Sequence, residues 1–150
     1  MRDVNAAIRK KYYELLNGNL FVDNTAIPVY SDYIPNIVNA DCYLIIQVIS
    51  NTSIVTKTSH ITNTSVQFSF FTKDIIANAG KKRDTLVSQF YQIIFPYPNS
   101  KIDLEPDFQV VFMNLDNDNN LSPLQTDNAI YLNRYITFSH KIYHREIPVS

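Results

Sequence analysis

Apolar and polar positions alternate along this chain with two different periods, and the change of period marks out its elements. Val4, Ala7, Ile8, Lys11, Tyr12, Leu15 and Leu16 recur three and four apart, the spacing that stacks side chains on one face of a helix. Asp3 stands at the start of that run and Asn17-Gly18 at its end, as a cap and a stop. Leu20-Phe21-Val22, the turn Asp23-Asn24-Thr25 and Ile27-Pro28-Val29-Tyr30 predict a short hairpin. Pro28 confines the second arm to a sheet edge or to irregular extended structure, and Pro35 interrupts the chain again.

Tyr43 to Ile49 is a nearly continuous apolar run rich in β-branched residues, which predicts a central strand covered on both faces, or on one face plus a partner. The Ser/Thr/Asn-rich stretch from Asn51 to Asn63 reads as a hairpin tip or a flap. Val66 to Thr72 alternates, with Val66, Phe68 and Phe70 on one face and Gln67 and Ser69 on the other. A second helix is expected over Lys81–Phe95, burying Leu86, Val87, Phe90, Ile93 and Ile94 and ending before Pro96 and Pro98. Lys81, Lys82 and Arg83 fall at its beginning, where the helix dipole disfavours cations. Either the helix starts nearer Lys73-Asp74 or those charges serve something else. Phe108 to Leu115 is the next strand, followed by a long Asp/Asn loop and a last strand from Ala129 to His144. In that strand Tyr131, Asn133 and Tyr135 share one face, and Ile136, Phe138, His140 and Ile142 the other.

The expected fold class is therefore α+β. It comprises a mainly antiparallel sheet of about four strands with two helices packed on one face, plus a short N-terminal hairpin. With 150 residues, no internal repeat and no linker-like segment, the whole chain, residues 1–150, reads as a single domain.

Charge narrows the function. Thirteen basic and fourteen acidic side chains leave a net charge of −1, without the basic excess that a dedicated nucleic-acid binder needs against phosphates. Ten Tyr and nine Phe favour both strands and protein interfaces. No apolar run reaches the ~20 residues that span a bilayer, so no membrane role is expected, and the start lacks a signal-peptide core. A cytoplasm-like compartment follows, in which Cys42 is a buried structural thiol and the Asn-x-Ser/Thr triplets at Asn51, Asn63 and Asn120 are incidental.

Candidate chemistry is sparse. Asp116-Asn117-Asp118-Asn119-Asn120 opens like a calcium loop, but Leu121 holds the place of the required Gly and Asp127 that of the closing Glu, so a solvated loop is expected. His140 and His144 lie about 13 Å apart along a strand, too far for one metal ion, and are read as exposed or interfacial. His60 stands alone in a polar stretch. Asp103, Glu105 and Asp107 form a solvated connector around Pro106, with nothing apolar to separate their pKa values. Lys81-Lys82-Arg83 is a small basic patch, read by default as a solubilising helix end and alternatively as a contact for an acidic partner or a DNA backbone. No catalytic, cofactor or metal site is expected. The residues assigned to subunit or partner contact are Tyr131, Asn133, Tyr135, Lys81, Lys82, Arg83, Asp116 and Asp118.

This succession resembles the tail-completion or tail-terminator family of tailed bacteriophages. The parts that carry the likeness are the N-terminal helix, the segment from Ile27 to Pro35, the Tyr43-to-Ile49 strand, the strand through Thr72-Lys73 into an Ala79-Gly80-Lys81 helix, and the closing strands with an acidic loop between them. The resemblance implies a non-enzymatic virion protein, assembled in the host cytoplasm. It would form a homo-oligomeric ring of six or twelve copies at the head–tail junction, contacting neck and tail tube proteins, with DNA passing only through the lumen. Two alternatives remain beside it: another neck or head-closure adaptor, and a small ligand-binding domain unrelated to phage.

Overall fold

The computed structural model describes residues 3–32, 40–57 and 59–145. Its frame is a long antiparallel hairpin, β4 (Cys42–Val55) and β5 (His60–Asp74), extended on the β5 side by β8 (Ile130–His144) and then β6 (Phe108–Asn120). The short β3 (Val29–Ser31) lies parallel to β4 and pairs with Leu44–Ile46. β7 (Leu124–Gln125) continues the β6 border along β8. A separate two-stranded sheet joins β1 (Phe21–Val22) to β2 (Thr25–Ala26). Two helices, α1 (Val4–Leu16) and α2 (Ile76–Ile94), complete the described elements.

This corrects the expected fold class. Strand makes up 49% of the structure against 23% helix, so the sheet is the frame: six strands plus a separate pair, not about four strands carrying two helices on one face. The difference comes from polar sequence that pairs as strand. Ser50–Val55 registers with His60–Ser65, and Asn117–Asn120 with Arg134–Thr137. Backbone pairing needs no apolar side chain, so a buried-face pattern misses strands that are wet on both faces. Register shifts in β6, at Val110/Phe112 and Leu115/Asn117, further scramble the alternation that sequence reading depends on.

Local chemistry explains the element ends. The Asp3 carboxylate caps α1, accepting from the amides of Asn5 (2.9 Å) and Ala6 (3.4 Å). Asp23 and Asn24 both have positive φ, 51° and 64°, the geometry that a tight two-residue hairpin turn requires between β1 and β2. The second arm of the expected hairpin does not stay with the first. After Ile27 the chain passes through Pro28, whose carbonyl accepts from the Leu44 amide (3.1 Å), and enters the main sheet as β3. Tyr33, Ile34 and Pro35 lie outside the described residues. α2 begins at Ile76, so Lys81–Arg83 fall inside the helix and not at its exposed N-terminus.

The core lies where both helices meet the sheet. Val4, Ile8, Tyr12 and Leu16 line one side of α1, and Leu86, Val87, Phe90 and Ile94 that of α2. Phe68 sits at the junction: Tyr12 reaches it edge-on at 4.8 Å between centroids and Phe90 at 4.8 Å. β4, expected to be covered on both faces or on one face plus a partner, is covered on both faces only near its start, where Ile45 on the opposite face is also buried. Leu44 and Ile46 are fully buried under the helices, while Gln47 and Ile49 of the same strand are exposed.

Candidate interaction surfaces

The sheet face turned away from the helices carries an aromatic row spanning four strands. Tyr30 meets Tyr43 at 6.1 Å, Tyr43 stacks on Phe71 at 4.8 Å and 12°, and Phe71 meets Tyr135 edge-on at 6.4 Å. Strand register places these rings: Tyr43 faces Phe71, and Ser69 faces Tyr135. One end opens into a concavity of about 440 Å³ lined by Asp41, Tyr43, Phe71, Lys73, Tyr131 and Asn133, among others. The Lys73 ammonium lies 5.5 Å from the Tyr131 ring centroid, a cation–π contact across paired strands. Burial pushes the Tyr43 hydroxyl above its ordinary pKa, with Tyr30 and Tyr135 adding to the effect, so it is a neutral donor. Tyr131, Asn133 and Tyr135 thus share a face as the sequence predicted. Tyr43, Phe71 and Lys73, which complete that face, were missed, although their alternation with the buried Leu44, Phe70 and Thr72 was the available signal.

Asp116 and Asp118 are strand residues, which corrects the expected solvated loop. Asp118 accepts two hydrogen bonds from Arg134, from Nε and Nη2, at 2.7 Å each, and a third from the Tyr91 hydroxyl at 2.7 Å. Burial alone raises the Asp118 pKa, but the Arg134 fork and the Tyr91 hydroxyl outweigh it, and the carboxyl sits below its usual range. This bridge ties β6, β8 and α2 together. Asp118 is consequently a structural carboxylate, engaged within the chain's own fold. Asp116 is exposed and accepts from Ser139 Oγ at 2.9 Å.

The basic run is likewise divided. Lys82 bonds to Asp74 and lies 3.4 Å from Asp23, and its hydrogen bond with Asp74 raises its pKa. Arg83 pairs with Asp84 at 3.2 Å. Of the three, Lys81 is the exposed cation with no ion pair among the described residues, beside Thr85, Ser88 and Gln92 on the polar side of α2. The run does not form a concentrated positive patch.

Two histidine arrangements correct the sequence reading. His140 is not exposed or interfacial: only 1% of it is accessible. Its Nδ1 faces the Thr64 carbonyl at 3.0 Å and its Nε2 faces the Tyr12 hydroxyl at 2.5 Å. A carbonyl only accepts, so Nδ1 carries the proton and Nε2 accepts from Tyr12. Burial lowers the His140 pKa to about 4, although Thr64 and Asp116 pull it up. His60 is not isolated, for its ring stacks on His144 at 3.7 Å and 8°, and His144 Nε2 lies 2.7 Å from Thr62 Oγ1. Stacked rings point their nitrogens along parallel planes, which does not suit joint ligation of one ion. Among the described residues no group of three or more His, Cys, Asp or Glu is disposed to hold a metal. Cys42 is buried, and burial pushes its thiol up, away from nucleophilic thiolate.

Among the described residues, then, the sheet ends in strands paired on one side only, and rings are displayed on the face away from the helices. No family model matches the chain, and no curated protein matches it in sequence. Solved structures share its fold. One is a chain of the virion of a native gene transfer agent particle, which superposes with a TM-score of 0.60 at 13% identity, covering 95% of this chain and 99% of that one. Another solved chain superposes with a TM-score of 0.55 at 12% identity, covering 96% of this chain and 97% of its own.

Proposed function

We propose that this chain is a non-enzymatic virion structural subunit that forms a ring at the head–tail junction, completing the tail tube and docking to the neck. The observation that carries the reading is the shared fold with the gene transfer agent virion chain, matched over nearly the full length of both molecules. The resemblance in element order to tail-completion proteins points to the tail end of the neck. The physical form of the molecule supports both: a sheet with unclosed borders accepts neighbours by strand addition, and a head-to-tail contact that closes by rotation makes a ring. In this reading the host cytoplasm is the place of assembly, the partners are the adjoining neck and tube proteins, and DNA only passes through the lumen.

The test is solution mass of the full chain by native mass spectrometry, imaging for annular particles, and labelling of an epitope-tagged copy in purified virions. Rings, with label at the junction of head and tail, are expected. Label elsewhere in the particle, or absence from it, overturns the reading.

A further inference from the structure

We infer that the outer edge of β4, from Val48 to Val55, is a pairing site for the outer edge of β6 in a second copy of this chain. The inference rests on the ring reading and specifies its contact. Along β4, β3 covers only Leu44–Ile46, and beyond that point no strand lies on the outer side among the described residues. Proteins protect such borders with charge, proline or short length. The segment Val48-Ile49-Ser50-Asn51-Thr52-Ser53-Ile54-Val55 has neither charge nor proline. It also holds three of the exposed aliphatic side chains, Ile49 at 50%, Ile54 at 51% and Val55 at 68% accessible. Eight residues of strand offer about 26 Å of backbone to a partner.

Strand direction and charge select the partner. β4 and β8 run one way and β5 and β6 the other, so β6 of a neighbour placed beside β4 is antiparallel and continues the alternation. Among the described residues β6 borders only β8, and it exposes Phe112 and Leu115, each 41% accessible. The β4 side is flanked by α1, which is tied to it by the Asn51–Asn5 side-chain hydrogen bond (2.6 Å) and bears Lys11 and Lys10, the latter 3.9 Å from Glu14. Along the β6–β7 side no Lys or Arg occurs between Lys101 and Arg134, and Asp116 and Asp127 are exposed, with Lys141 of β8 as the nearby cation, 6.0 Å from the Phe112 ring centroid. Two β4 edges together would juxtapose lysines, and two β6 edges carboxylates. Only β4 against β6 matches opposite signs. The contact is heterologous and leaves each copy one border of each kind.

The experiment uses the full chain, with native mass spectrometry across a concentration series and backbone hydrogen exchange of the assembled and dissociated forms. Amides of Val48–Val55 should gain protection on assembly. Ile54→Lys should raise the concentration needed for assembly at least tenfold while thermal melting of the dissociated chain stays unchanged. Lys10→Glu with Lys11→Glu should impair assembly, and adding Asp116→Lys with Asp127→Lys should restore it. If a variant melts early, the wild-type exchange pattern decides alone. Rings that form without protection of Val48–Val55 overturn the edge pairing and leave the ring reading standing. A chain monomeric at every concentration overturns the pairing, and the virion labelling then judges the proposed function separately.

Discussion

Acidification should act on this fold through one buried residue, and the size of the effect follows from its surroundings. His140 is neutral, donates Nδ1–H to the Thr64 carbonyl and accepts from the Tyr12 hydroxyl, joining α1 to β5 and β8 at the bottom of the core. Its folded pKa of about 4 lies below the ordinary imidazole value of 6.5, with burial as the leading cause. The unfolded chain therefore binds more protons between these two values. Stability is complete above the unfolded pKa and is lost as pH falls toward the folded one. At about 1.36 kcal/mol per pKa unit, His140 alone removes about 0.8 kcal/mol by pH 6 and about 2.5 kcal/mol by pH 4.5.

Protonation also places a second donor against the Tyr12 hydroxyl, whose remaining nearby acceptor is Met113 Sδ at 3.4 Å. The assay is urea unfolding of the wild type and of the Tyr12→Phe/His140→Phe double variant from pH 7.5 to 4.5. Removing both partners leaves no orphaned hydroxyl on Tyr12. The carboxylates and His144, whose pKa is also lowered by burial and by His60, titrate in both proteins and cancel in the difference. The wild type should lose about 2.5 kcal/mol more than the double variant across that range. A difference that stays flat with pH, or a His140 titration near 6.5 by NMR, refutes the reasoning.

Three further outcomes are expected from stability measurements on single variants. Phe90→Ala should cost about 3–5 kcal/mol by denaturant unfolding, because Phe90 is fully buried against Phe68, Phe70 and Phe138. Asp118→Asn should cost about 1–3 kcal/mol, since one of the two oxygens that accept from the Arg134 fork and the Tyr91 hydroxyl becomes an NH2 donor and the negative charge is lost. Asn24→Val should cost about 1–2 kcal/mol in thermal melts, because its φ of 64° is a region that a β-branched side chain avoids.

Legibility in the sequence followed burial. Val4–Leu16 and the Leu86–Ile94 stripe were readable because an apolar face at helical spacing must be covered. Phe68 and Phe70 were readable because alternate residues of β5 enter the core. The start of α2 at Ile76 was readable only as the alternative near Lys73-Asp74 that the misplaced cations raised, since Ile75 caps it with no side-chain hydrogen bond. The distal halves of β4 and β6 were hidden for another reason: Asn51–Ser53 and Asp116–Asn120 read as loop, and only the neighbouring strand makes them extended. Likewise Asp118 looked like a solvated ligand because its partners are 16 and 27 residues distant in sequence. Tyr12 and His140, 128 positions apart, could be joined only by the fold.

The two exposed surfaces do not offer equal gains to a neighbour. On the aromatic face the rings largely cover one another and what lies beside them: Ile45 and Ser69 are each only 3% accessible although they point away from the helices. Tyr131, the most exposed of the tyrosines on that face assigned to contact, is 36% accessible and already carries Lys73 on its ring. Val55, Ile54 and Ile49 retain half or more of their surface, and among the described residues no strand pairs with the outer side of the backbone beside them. Burial yields about 25 cal/mol per Å² of apolar surface removed from water, so the larger unburied remainder lies on the β4 border. Tyr131→Ala should therefore shift self-association, read by sedimentation velocity, less than Ile54→Lys does. If Tyr131→Ala proves the more damaging of the two, the aromatic face carries the contact between copies and the ranking by residual exposure is wrong.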